Sequence, residues 1–267
     1  MSRSNPSTQT PHPCKKWFEC NGETGVIFHY DREQKKKINH DLPFVFILLD
    51  ELSVIKGWDE ASESGITSNE VRDTRQEVFV VKSFKGGQIA SGHYNFIKDK
   101  VAARGGGYHA NLYMAFKDTD GTLAIGSLML RGAALSAWFE FRKKNRSNTV
   151  EVDGKKVSVL YAKAICIKSF SDGKKGSIKF KYPDFSLSEI KPETNQQAIG
   201  LDVELQEYLT SYLQRTKAEA ADQSTQEGVQ EDAPVGNQEA PTEPEPELAA
   251  AQEPPPNPEP AEDDVPF

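Results

Sequence analysis

Hydrophobic residues in this chain fall mostly into short runs, several of them with a period of two. In 177–182, Ile178, Phe180 and Tyr182 share one face while Lys179 and Lys181 share the other. That is the pattern of a half-buried strand with a basic outer face. Runs over 43–50, 77–84, 110–117, 122–130 and 156–168 are rich in β-branched and aromatic residues and also predict strands. Asp-Gly pairs at Asp120-Gly121, Asp153-Gly154 and Asp172-Gly173 stand between such runs. Asp-Gly suits tight hairpin turns, because both positions tolerate a positive φ. The expected arrangement is antiparallel meanders rather than strand–helix–strand units.

Helical spacing is rarer. The span 93–103 is one candidate, ended by Gly105-Gly106-Gly107. In 132–144, Leu135, Trp138, Phe139 and Arg142 recur at helical spacing, and Arg142, Lys143 and Lys144 suit the C-terminal end of a helix dipole. Trp138 is expected in the core. In 201–221, Leu201, Leu205, Tyr208, Leu209, Tyr212 and Leu213 form one apolar stripe, which either caps the domain or serves a dimer. The fold class is therefore mainly β with a few helices. Residues 1–13 read as a disordered Ser/Thr/Pro-rich segment, 14–221 as one domain, and 222–267 as a disordered acidic, Pro-rich tail.

Charge sharpens that division. The net charge of -8 averages two unlike parts. Residues 222–267 hold 13 acidic groups and no Lys or Arg, whereas residues 1–221 hold 32 basic against 27 acidic groups, a net +5. Such a tail buries too little apolar surface to offset its ordering entropy. The longest apolar run, Phe44-Val45-Phe46-Ile47-Leu48-Leu49, is strand-sized and far short of the roughly 20 residues of a membrane span. The N-terminus lacks the apolar core of a signal peptide. Three cysteines are too few and too scattered for a disulfide framework. A cytoplasmic location is expected.

Catalytic chemistry finds little footing. Gly105-Gly106-Gly107 lacks the Lys-Ser/Thr partner of a phosphate loop. Asp118-Thr119-Asp120-Gly121 lacks the later ligands of a calcium loop, and His12, Cys14, Cys20 and His29 fit no standard zinc pairing. Asp50-Glu51 and Asp59-Glu60 read as solvated turns. No catalytic residue, metal or cofactor is expected, and the chain is not read as an enzyme.

The sharpest signal is Glu262-Asp263-Asp264-Val265-Pro266-Phe267. A ring and a terminal carboxylate on Phe267, stiffened by Pro266 and preceded by acids, suit a partner pocket with an apolar floor and a basic rim. This tip resembles that of bacterial single-stranded DNA-binding proteins, which end in an acidic run, an aliphatic, Pro and Phe. The layout of β-rich domain, low-complexity linker and acidic tip is similar to theirs as well. The stretches His40-Asp41-Leu42-Pro43, Ser68-Asn69-Glu70-Val71-Arg72 and Gly132-Ala133-Ala134-Leu135-Ser136-Ala137-Trp138 look like those of a phage or prophage family of this type.

The resemblance implies an OB-fold barrel that binds single-stranded DNA for replication, recombination or repair, in a bacterial host cytoplasm. It also implies a tip that recruits partner enzymes. Single-strand binding needs cations along a backbone path and aromatics for base stacking. Candidate cations are Arg72, Lys82, Arg104, Lys143, Lys144, Lys179 and Lys181, with Lys35–Lys37, Arg75, Lys85, Lys98, Lys100 and Arg146 also available. Candidate stacking residues are Trp17, Trp58, Tyr94, Tyr108 and Tyr113. Tyr113 is preferred, because it alternates with Leu112, Met114 and Phe116 and would face outward if those face the core. Other readings are a strand-annealing or recombination mediator, an adaptor that recruits proteins without binding DNA, and a nuclease.

Overall fold

The computed structural model describes residues 11–152 and 154–227; for 218–227 it describes the helix only. The tip residues Glu262 to Phe267, the N-terminal ten residues and Asp153 lie outside the described residues.

The chain begins with three strands, β1 (Lys16–Asn21), β2 (Val26–Asp31) and β3 (Lys36–His40). A long strand β4 (Phe44–Asp59) follows, then β5 (Ser64–Ser68), β6 (Phe79–Ser83) and β7 (Gly87–Gly92). Helix α1 (Tyr94–Ala102) leads to β8 (Gly106–Lys117), β9 (Leu123–Leu130) and helix α2 (Gly132–Asn145). Next come β10 (Thr149–Val152), β11 (Lys155–Ser158), a single helical turn α3 (Val159–Ala162), β12 (Ala164–Lys175), β13 (Ile178–Ser188) and helix α4 (Pro192–Glu227).

The main sheet runs β3-β2-β1-β9-β8-β4-β5-β6-β7, with β12 joining β4 and β13 joining β12. This path is open, so the expected closed barrel is not formed. Its pairings are antiparallel except β1 with β9, which is parallel. The expected strand at 156–168 divides into β11, α3 and β12. Ser158 starts the intervening turn, its hydroxyl accepting from the Leu160 amide. Asp172-Gly173 is not a turn: Asp172 and Gly173 pair with Lys181 and Phe180 inside the ladder, and the chain reverses at Gly176. Asp120-Gly121 is the turn it was read to be, between β8 and β9.

Helices cover both faces of the sheet centre. On one face, Trp138 and Leu135 of α2 pack against Phe18, Phe46, Leu112, Met114 and Leu128. On the other, Ala198, Leu205 and Leu209 of α4 pack against Ile47, Leu49, Tyr113 and Ile125. The stripe of α4 therefore caps the domain. This helix starts earlier than the expected 201 and runs past the expected boundary at 222. A third apolar cluster joins Val101 and Ile97 of α1 to Ile55, Ile66, Phe79 and Val81. Among the described residues, no helix is long and apolar enough to cross a membrane.

Candidate nucleic-acid interface

Residues in register across a sheet share a face, so the ladders identify which side chains stand together. One row reads Trp17, Ser127, Tyr113 and Asp50 across β1, β9, β8 and β4. Tyr113 in this row is only 1% exposed. Its hydroxyl donates to Glu70 Oε2 at 2.7 Å, and its ring stacks near His12. Tyr113 is thus a core residue, and the expectation that it offers a ring to a base is overturned. The reason is α4: β8 is buried on both faces, so alternation with Leu112 and Met114 does not point Tyr113 to solvent. Burial pushes the Glu70 carboxyl upward, against the hydrogen bonds from Tyr113 and Asn111 that pull it down.

Away from α4, the same face opens into a cleft of about 890 Å³. Trp17 and Trp58 both line it and are 46% and 57% exposed, so two large rings reach solvent. Lys56 shares a face with Trp58, two residues away on β4, and Arg131 enters from the end of β9. Arg32 lies over the Trp17 ring at 5.8 Å from its centroid, a cation–π contact. Glu19 is the acidic side chain in the lining. His109 also lines the cleft; its Nδ1 donates to the Gly107 carbonyl at 2.9 Å. Burial holds its imidazole below the ordinary value, despite that hydrogen bond. The cations here are therefore Lys56 and Arg131 rather than the histidine.

The glycine triplet has a packing role. A Cβ on Gly57 would lie 2.1 Å from the Gly105 carbonyl oxygen, and one on Gly105 would lie 2.2 Å from that of Trp58. Backbone meets backbone here, which only glycine permits. Arg104 completes the joint. Its Nε and Nη2 donate to Asp59 Oδ1 and Oδ2 at 2.9 and 2.6 Å, and Ser62 donates to Oδ2 at 2.6 Å. These bonds hold the Asp59 carboxyl well below the usual carboxylate range, Arg104 contributing most. Asp59 is 1% exposed, so it is not the solvated turn residue expected. Buried Asp50 is not one either: it accepts from Arg72.

The remaining expected contacts scatter. Tyr108 borders the cleft, but its hydroxyl shares a 2.6 Å hydrogen bond with Ser53 Oγ and its ring packs beside Tyr94. Arg72 is tied to Asp50 and to Gln206 of α4. Lys143 and Lys144 end α2, which packs on the opposite face of the sheet. Lys179 is exposed on β13, and Lys181 pairs with Asp172 at 2.7 Å. None of these five cations lines the cleft. Lys82 is exposed on β6, in register with Thr67 and through it with Lys56. Lys56 and Arg131 went unselected in the sequence, although the period-two spacing of Lys56 and Trp58 was a usable signal. Among the described residues, no group of three or more His, Cys, Asp or Glu is placed to hold a metal ion.

Comparisons with protein-family models, curated protein sequences and solved structures give no match.

Proposed function

We propose that this chain binds single-stranded nucleic acid, DNA in the first instance, without sequence preference and without catalysis. The observation that carries this reading is the open cleft with two exposed tryptophans beside Lys56 and Arg131, next to a sheet centre whose two faces are covered by helices. A flat indole accepts any base by stacking, and a nearby cation neutralises phosphate. An open sheet face meets this need without a closed barrel. The service is to replication, recombination or repair, and the acidic Val-Pro-Phe tip recruits partner proteins by apolar anchoring with electrostatic steering.

Titration of intrinsic tryptophan fluorescence with poly-dT over a range of salt tests the reading. Quenching should saturate, and log affinity should fall linearly with log salt, with a slope of about 0.7 per phosphate contact. Absence of binding at low salt, or equal affinity for duplex, overturns it. An annealing assay with complementary oligonucleotides then separates passive binding from strand pairing.

A further inference from the structure

We propose that Phe84 is a second, outer stacking station, which receives the same strand after it leaves Trp58. This inference rests on the single-strand reading of the cleft. Phe84 follows β6 directly, and its amide donates to the Gly65 carbonyl at 3.0 Å, continuing the ladder. Gly65 is in turn the register partner of Trp58. Trp58 and Phe84 therefore stand level on one sheet face, two strands apart, roughly 10 Å at the usual strand spacing.

Gly65 is what makes the Phe84 position possible. A Cβ there would lie 2.9 Å from Phe84 Cε2, so the ring occupies the space that any other residue would fill. Yet this ring is 75% exposed, more than Trp58 at 57%. Burial does not account for it, since a phenyl ring left in water forgoes most of its transfer free energy. Two cations flank the same path: Lys56 on β4 and Lys82 on β6 are in register through Thr67 of β5, on the face that carries both rings. A strand crossing this face from Trp58 to Phe84 would have base-stacking rings in one row and phosphate-neutralising lysines in a parallel row beside it, the two elements of a single-strand platform.

The two stations differ in reach. Trp58 borders the cleft with Trp17, whereas Phe84 does not line it. Short oligonucleotides held in the cleft should not reach Phe84, and longer ones should. The test is fluorescence anisotropy of labelled oligo-dT, from about 4 to 16 nucleotides, with full-length wild type, Phe84→Ala, Phe84→Trp and Trp58→Ala.

Phe84→Ala should leave the shortest oligomers unaffected and weaken the longest by roughly 5-fold or more, the loss of one stacked base. Phe84→Trp should restore or exceed wild-type affinity for the long oligomers, and the melting temperature should stay near wild type in both variants. Trp58→Ala should weaken binding at every length. If Phe84→Ala has no effect at any length, or the same effect at all lengths, the outer station is wrong. With Trp58→Ala still weakening binding, the single-strand reading would survive that result. If wild type binds no oligo-dT at all, both fall together.

Discussion

Two aromatic side chains on the same sheet face carry opposite expectations. Tyr113 is buried beneath α4 and hydrogen-bonded to Glu70, whereas Trp58 stands in the open cleft. Tyr113→Ala should therefore cost about 3–5 kcal/mol of folding stability, as for other large core rings, and leave DNA affinity per folded molecule unchanged. Trp58→Ala should cost about 1–3 kcal/mol of DNA binding with little change in melting temperature. Urea melts and poly-dT titrations on both variants would show the crossing of effects. His29 and His40 stand against Phe18 with Nδ1 and Nε2 2.7 Å apart. Burial, followed by the charge of His29 and of Lys16, lowers His40 to about 4. Burial and Lys16 also lower His29, while Asp118 opposes both shifts. The folded state thus prefers neutral rings, and unfolding releases them to their ordinary value near 6.5. Their contribution to stability is complete above that value and is lost as pH falls from there towards 4. The urea midpoint of wild type should drop more between pH 7.5 and pH 4.5 than that of His40→Asn.

At the scale of elements, the end of β4 is held by its neighbours rather than by its own sequence. The loop after α1 presses Gly105 onto Gly57, and Arg104 grips Asp59 beside Trp58. The pairing with Asp59 gives Arg104 the expected role of positioning Trp58 rather than of contacting phosphate. Arg104→Gln should lower both the melting temperature and DNA affinity, yet leave the salt slope of binding unchanged. Lys56→Gln and Arg131→Gln should each reduce that slope by about 0.7 and spare the melting temperature. Slopes measured at four or five salt concentrations separate the two roles. An Arg104→Gln slope reduced like that of Lys56→Gln would make Arg104 a DNA ligand after all.

For the whole molecule, the sign of the charge changes along the chain. The 13 acidic groups of residues 222–267 follow a body of net +5. Since α4 continues to Glu227, a deletion from Gly228 leaves the described fold whole while removing 11 of those acids. That deletion should raise affinity for single-stranded DNA, because the polyanion it removes repels phosphate. The gain should shrink as salt shortens the Debye length to about 10 Å at 0.1 M. The melting temperature should not move. Affinity unchanged at low salt would show that tail charge is not felt at the cleft.

Local pattern alone determined the β-rich class, the two helices at 94–102 and 132–145, the Asp120-Gly121 turn and the core place of Trp138. Each depends on spacing within a dozen residues or fewer, which a period of 2 or 3.6 reports directly. The split of charge between body and tail was equally plain, since composition needs no fold. Trp17 and Trp58 could be named as exposed aromatic candidates, but not as walls of one cleft. That required the ladder from β1 through β9 and β8 to β4, which joins residues more than a hundred positions apart. Tyr113 was misread because alternation tells the two faces of a strand apart but not which of them is wet. The answer lay in α4, whose docking buries the second face. Likewise Arg104 and Arg72 looked like free cations until Asp59 and Asp50 were brought against them. Charge is a property of the residue, whereas availability to a ligand depends on what the tertiary structure has already paired with it.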